Sequence, residues 1–364
     1  MSDQILCSNI RLARLFNGLS LADLGERLGK SKQYLSRVET GAEPVSSSLE
    51  RDLVEAFGIL PEFLRKVDPM PLTEEQCHFR KQLTTKVALR QYARARGEML
   101  KRLVCVLEDY LDFPTYQIEE ADPVSDEAIE LGAERCRASW GLGWGPISNI
   151  TRVAENAGAV VMRVSGLAQE VDAVSFASRR PVIALNAEGR SACRLRFGIA
   201  HELGHFALHI GVLTGDRLTE GQANRFASAF LLPRASFLAE SSRALRRTRI
   251  NWEHMADLKR RWGVSKAALL YRGWQLGVFT DDQVRAGFIS LKRHGEALME
   301  AEDSELALEV PEVVSDGLKV LNDSIGIPRV AVARQMCVQP RLLDELLGEA
   351  GPTSSGAVVN LFSA

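Results

Sequence analysis

The pentapeptide His201-Glu202-Leu203-Gly204-His205 constrains this chain more than any other feature. Two imidazoles four residues apart can reach one metal ion only if the backbone between them is helical, because four residues make about one turn and put both side chains on one face. Glu202 then projects beside them. A single straight helix does not easily close a ligand shell around an ion, so a second element has to bring a further donor. The segment opening near Arg194 is therefore expected as a helix, with another packed against it.

The second helix is expected in "DRLTEGQANRFASAFLLP", with Glu220 near its start and Asn224 one turn on. Glu220 can complete a His201, His205, Glu220 set of metal ligands, and Asn224 can orient the remaining nitrogen of a ligating histidine. His209 is the rival third ligand, but it sits a further turn along the first helix. Two neutral imidazoles and one carboxylate suit Zn2+, which in hydrolytic sites keeps one position for water. Glu202 is then the catalytic candidate, a general base that takes a proton from that water and passes it to a leaving amine. Gly204 is expected to let a neighbouring strand or substrate come close.

The surroundings of this motif are α+β: mainly α with a small β-sheet. "DEAIELGAERCRASWGL" and "ISNITRVAENAG" read as helices, while "AVVMRVSG", "VDAVSFAS" and "RPVIALN" have the β-branched content of strands. The last of these is expected at a sheet edge, where an extended peptide could pair with it. His254, Tyr271 and Arg272 are weighed as oxyanion donors, with a structural role favoured. Cys193 is read as a packed thiol.

"RFGIAHELGHFALH" followed by "EGQANRFASAFLLP" resembles the ImmA/IrrE family of zinc-dependent peptidases over roughly residues 145 to 280. That resemblance implies zinc held by His201, His205 and Glu220, Glu202 as base, and a repressor of the XRE type as the protein substrate.

At 364 residues the chain is long enough for two to four domains. Apolar spacing from Asn9 to Gly58 gives four or five short helices, with Ser20 and Ser31 as N-caps and Gly29 and Gly41 at C-terminal ends. Two of them joined by "GKS" make a helix-turn-helix, whose second helix would enter the major groove of double-stranded DNA. Lys32, Gln33, Ser36 and Arg37 are the candidate DNA-binding residues, and Gln33 and Arg37 are best suited to base edges. "LADLGERLGKSKQYLSRVETG" resembles the Cro/XRE repressor-type family over roughly residues 8 to 65. The resemblance implies a buried pair between Arg14 and Glu39. Leu21 departs from the glutamine often found at its position.

The formal charge of −2 gives no overall pull toward nucleic acid, so basic surface must be local. The stretch from Arg80 to Arg102 carries Arg80, Lys81, Lys86, Arg90, Arg94, Arg96, Lys101 and Arg102 against the acid Glu98, a stripe that could hold phosphates or form a solvated face. Six cysteines without a CxxC pair argue against a disulfide framework and suit a reducing cytoplasm. No run of about eighteen apolar residues marks a membrane segment.

The expected organisation is a helix-turn-helix domain over 1–68, a basic helical connector over 69–118, a peptidase domain over 119–285 and a helical regulatory or interaction domain over 286–364. The function read from this is a DNA-associated zinc metallopeptidase that cleaves a transcriptional repressor or itself. The alternative is an XRE-family regulator whose peptidase-like domain senses with little turnover. A homodimer is a further expectation.

Overall fold

The computed structural model describes residues 4–73, 76–79, 87–164, 173–177 and 179–348. The chain divides into two compact units, Met1–Pro69 with Leu321–Ala364 and Met70–Val320.

The first unit opens with helices α1 (Cys7–Phe16), α2 (Leu21–Leu28), α3 (Lys32–Glu39) and α4 (Ser47–Phe57). Ser20 caps α2 by accepting from the Asp23 N–H at 3.1 Å, and Asp23 accepts in return from the Ser20 N–H at 2.8 Å. Gly29, with φ of 61°, ends α2 in the left-handed region. Gly25 is needed for the turn, since a Cβ there would lie 2.6 Å from the Lys30 carbonyl oxygen. Ile10, Leu24, Leu35, Val38, Leu49, Leu53 and Phe57 form the core between these helices. The Arg14 guanidinium donates from two nitrogens to Glu39, at 2.6 and 2.9 Å, and a third donates to the Leu19 carbonyl at 2.7 Å. A 3-10 turn, Pro61–Arg65, follows α4.

The second unit begins with strand β1 (Cys77–Phe79) and helix α5 (Val87–Glu108), then α6 (Asp126–Ser139) and α7 (Ile150–Asn156). Strands β2 (Val160–Arg163), β3 (Ala173–Ala177) and β4 (Pro181–Leu185) complete a four-stranded sheet in the order β1-β3-β4-β2. Only the β2–β4 pair is parallel. Helices α8 (Ala192–Leu208), α9 (Arg217–Leu231) and α10 (Arg234–Glu240) lead to a short hairpin, β5 (Leu245–Arg246) with β6 (Arg249–Ile250). Helices α11 (Trp252–Trp262), α12 (Lys266–Gln275), α13 (Asp281–Arg293) and α14 (Val313–Val320) end the unit. Val161, Ile183 and Leu185 of the sheet join Ile129, Ile199, Leu203, Phe226, Phe230, Met255, Trp262 and Leu269 in one apolar core. Burial of these side chains is worth about 1.5–3 kcal/mol each for the aliphatic and phenyl groups, so the sheet and the α8–α9 pair fold as one body.

The basic stretch is not a free stripe where it is described. Arg96, Lys101 and Arg102 are buried on α5. Lys101 pairs with Glu98 at 2.7 Å and donates to the Met70 carbonyl at 2.5 Å, while Gly97 brings α5 onto Phe176 of β3. Arg80, Lys81 and Lys86 lie outside the described residues.

The stretch after residue 286 is shared between the units, because its two halves find partners on different bodies. An acidic run is drawn onto the second unit by buried cations. Lys259 donates to Glu300 at 2.6 Å and to Asp303 at 2.7 Å, Lys266 to Glu296 at 2.7 Å, and Arg196 pairs with Glu309. Arg260 and Arg261 form exposed ion pairs with Glu305 and Glu240, so of the basic residues of the "LKRRWGVSK" segment it is Lys259 and Lys266 that serve packing. From Leu321 the chain rejoins the first unit, and "PRVAVARQMCVQPRLLDELLG" breaks into two helices, α15 (Arg329–Gln335) and α16 (Pro340–Leu346).

Candidate metal centre and nucleic-acid interface

Helix α8 starts at the N-cap Ser191, whose hydroxyl accepts from the Arg194 N–H at 3.3 Å. Arg196, one turn in, fixes this end of the helix by donating to the carbonyls of Gly263 at 3.0 Å and Ile147 at 2.6 Å. One turn further along, His201 and His205 bring their Nε2 atoms to within 3.0 Å of each other. Glu220, in the first turn of α9, puts its carboxylate oxygens 3.6 Å from Nε2 of His201 and 3.4 Å from Nε2 of His205. His201, His205 and Glu220 are the group of three potential ligands found among the described residues.

The spacing of these atoms suits a zinc ion. Bonds of about 2.0–2.1 Å in tetrahedral geometry put neighbouring ligand atoms about 3.3 Å apart. The two Nε2 atoms, 3.0 Å apart, are near one such edge, and Glu220 offers one carboxylate oxygen to each ring, Oε1 at 3.4 Å from His205 and Oε2 at 3.6 Å from His201. The donors, two imidazole nitrogens and a carboxylate, are those of hydrolytic zinc sites.

Glycine at 204 makes the meeting of the two helices possible. A Cβ there would lie 3.1 Å from Phe226 and 3.2 Å from the Ala223 carbonyl oxygen. What approaches Gly204 is thus α9, in place of the strand or substrate expected from the sequence. Close approach of the helix backbones lets the short reach of Glu220 span to the two rings.

Outer contacts hold each ring. Nδ1 of His201 lies 3.0 Å from Oδ1 of Asn224. Nδ1 of His205 lies 3.0 Å from Nδ1 of His209, whose Nε2 is 2.9 Å from Oε1 of Gln222. His209 is therefore turned away from the ligand cluster, with both nitrogens engaged by neighbours. Burial holds its imidazole below the usual pKa, in the neutral form, against the opposing pull of the Gln222 hydrogen bond. Gln222 was not singled out in the sequence, where one polar residue in "EGQANRF" carries no signal of this contact.

Glu202 is 2% exposed, and its carboxylate accepts a hydrogen bond from the hydroxyl of Ser175, a fully buried residue of β3. Ser175 was also missed; a lone serine in an apolar strand is the only trace of it in the sequence. The expected peptide-pairing edge is in the wrong strand. "RPVIALN" forms β4, which lies inside the sheet, paired antiparallel with β3 on one side and parallel with β2 on the other. The outer side of β3 is paired with β1 from the connector, with His78 opposite Ser175 in the register.

The remaining candidates have structural occupations. Arg272 is fully buried, donating to both oxygens of Glu130, at 2.6 and 2.9 Å, and to the Leu232 carbonyl. His254 meets the Glu240 carbonyl at 2.8 Å, and Tyr271 packs against Trp274. Burial pushes the Cys193 thiol up to about 12, which makes it a poor nucleophile or ligand.

In the first unit, α3 buries Leu35 and Val38 and turns Lys32, Gln33 and Arg37 to solvent, with Ser36 half-buried. Ser31 caps this helix by accepting from the Tyr34 N–H at 3.2 Å. A free helix face presented after a tight turn is what a major-groove reader requires.

Residues 8–65 match a helix-turn-helix domain, and residues 154–273 match the IrrE N-terminal-like domain of peptidase family M78. The chain is a fusion of these two domains. No curated protein matches it. The M78 domain runs from α7 into α12 and contains α8, α9 and the whole His201, His205, Glu220 cluster. The helix-turn-helix domain supports DNA binding, and the two matches together support a DNA-binding regulator with an ImmA/IrrE-like peptidase domain. Among the described residues no helix is long and apolar enough to cross a membrane.

Proposed function

We propose that the protein is a zinc-dependent metallopeptidase that hydrolyses a peptide bond in an XRE-type repressor or in itself, and so controls transcription at DNA held by its own helix-turn-helix. The observation that carries this reading is the triangle of donor atoms from His201, His205 and Glu220, with the Glu202 carboxylate on the same helix.

When bound, zinc supplies the Lewis acidity that brings the pKa of a water molecule down to about 7. His201 and His205 would hold the ion through Nε2 and Glu220 through its carboxylate, with Asn224 and His209 steadying the two rings from Nδ1. Glu202 takes the proton of the attacking water on its carboxylate and delivers it to the leaving amine. Ser175, by donating to Oε2 of that carboxylate, fixes the rotamer from which the transfer occurs. On DNA, Lys32, Gln33, Ser36 and Arg37 are the contacting residues, with Gln33 and Arg37 reading bases.

The test combines metal analysis of protein purified without chelator with incubation of the zinc-loaded chain and XRE-type repressors encoded beside it. One zinc per chain, and cleavage of repressor or of the chain itself that Glu202→Gln abolishes, is the expected result. Cleavage unaffected by Glu202→Gln would remove the peptidase reading.

One observation favours a second reading, in which the domain senses and does not turn over. His201, Glu202 and His205 are each no more than 2% exposed, and β1 covers the outer side of β3. On that reading operator binding responds to zinc or another signal while Glu202→Gln behaves as wild type.

A further inference from the structure

Two segments of the first unit, far apart in sequence, have the same backbone course. Gly58 and Cys337 both lie in the left-handed region, with φ of 65° and 60°. The same pair of bonds closes the helix before each. The N–H groups of 58 and 59 donate to the carbonyls of Glu55 and Val54 at 3.3 and 3.2 Å; those of 337 and 338 donate to Arg334 and Ala333, both at 2.9 Å. This is the Schellman termination, written once with glycine and once with a residue that must bear the strain of positive φ. Each segment then runs into a turn of helix led by proline, Pro61–Arg65 and Pro340–Leu346. The buried positions correspond as well, Phe57, Ile59, Phe63 and Leu64 to Met336, Val338, Leu342 and Leu343.

The two hooks bind each other. The Leu60 N–H donates to the Cys337 carbonyl at 2.8 Å, and the Gln339 N–H donates to the Gly58 carbonyl at 2.9 Å, on either side of an antiparallel bridge between Ile59 and Val338. Exchanging the hooks turns each of these bonds into the other. Such reciprocity is the pattern of an isologous contact, in which one patch meets its own copy across a twofold axis. Here both halves belong to one chain.

We propose that α15 and α16 take, within each chain, the place of a second copy on the Gly58–Leu60 edge, so that the helix-turn-helix domain meets DNA as a single module. The part about DNA rests on the DNA-binding reading above; the part about the edge does not. A tethered hook competes at an effective concentration in the millimolar range, well above that of a second chain at micromolar levels. The target on DNA is then one asymmetric half-site, where a twofold pair would require two half-sites a helical turn apart.

The full chain allows a direct test. In Ile59→Cys/Val338→Cys, the two positions face each other as a non-hydrogen-bonded antiparallel pair, with the close Cα spacing that a disulfide accepts. A mixture of unlabelled and 15N-labelled protein is oxidised and the 59–338 crosslink read by mass spectrometry. Links within one isotope form are expected; mixed-isotope links would show that the hook belongs to a neighbour and overturn the proposal. Separately, Gln339→Pro combined with Val338→Asp frees the edge. The φ of Gln339, −73°, already suits proline, so the first change removes one N–H donor, and the second puts a charge in the bridge. Folding of this variant is checked by its circular dichroism melt, and it is expected to self-associate one step beyond wild type, doubling the sedimenting mass. A folded variant with the mass of wild type would also overturn the proposal. Selection of bound sequences from a random duplex library is expected to return one asymmetric motif, and a palindromic motif counts against it. A library with no bound sequence would sink the DNA reading, while the crosslink still decides the hook.

Discussion

Nδ1 of His205 and Nδ1 of His209 stand 3.0 Å apart, one turn from each other at the C-terminal end of α8. Only one proton arrangement satisfies the chain of contacts around them. With the lone pair of His205 Nε2 directed at a metal, Nδ1 carries the proton and donates to His209; His209 then holds its proton on Nε2 and donates to Gln222 at 2.9 Å. The Gln222 amide nitrogen donates in turn to the Pro123 carbonyl at 3.1 Å.

His209→Ala is therefore expected to weaken zinc binding about ten- to a hundredfold, measured by competition with a chromophoric chelator. Gln222→Leu leaves His209 in place but removes its acceptor, and should give a smaller loss of the same sign. Wild-type affinity in both variants would mean that the relay does not orient His205.

Gly204→Val tests the crossing of α8 and α9. The added side chain meets Phe226 and the Ala223 carbonyl and has to push α9 outward. Overpacking of this kind costs about 1–3 kcal/mol. The expected outcome is a lower urea midpoint together with substoichiometric zinc, because Glu220 moves with α9. Full zinc content after the substitution would show that the close crossing is not what delivers the third ligand.

Glu39→Ala leaves the Arg14 guanidinium without its carboxylate, at a site where both side chains are less than 10% exposed. Removing one partner of a buried pair costs about 3–5 kcal/mol. All five tryptophans, Trp140, Trp144, Trp252, Trp262 and Trp274, lie in the second unit. Heating should produce an early loss of helical ellipticity with tryptophan fluorescence unchanged until the wild-type transition. A fluorescence transition that moves down with the ellipticity would contradict separate units.

Stability should depend on pH through Glu155. Its buried carboxyl accepts from the N–H groups of Glu312 and Val313, both at 3.1 Å, and burial raises its pKa from 4.5 to about 7. The folded protein thus holds a proton that the unfolded chain releases above 4.5. The contribution is fully present below 4.5 and is lost as pH rises to about 7, beyond which both states are ionised. Glu155→Gln should flatten the urea midpoint across this window; an unchanged slope would assign the dependence to other groups.

The sequence made the centre of the site legible because its decisive spacings are local. Four residues of helix determine that His201 and His205 share a face, and a capped second helix determines where Glu220 begins. The supporting residues follow from packing between distant segments. Ser175 reaches Glu202 only because β3 lies on α8, and strand order, which made β4 an interior strand, has no local code. Charge counting failed in the same way for Arg96, Lys101 and Arg102, since it does not register that α5 buries all three or that Glu98 and the Met70 carbonyl take up Lys101. The C-terminal helices were readable as helices, but their attachment to the first unit, through two backbone bonds, the Lys66 ammonium on the Gln335 carbonyl and buried Val338 and Leu342, joins segments far apart in sequence.

The first unit is assembled from both ends of the chain, with the whole M78 domain inserted between Pro69 and Leu321. A single cut in the stretch after Pro69 would break the covalent path without releasing the helix-turn-helix, which would stay clasped to the chain's far end. Autolysis at one bond would thus leave a nicked but associated molecule, and dispersal of the DNA reader would demand either a second incision or the melting of the clasp.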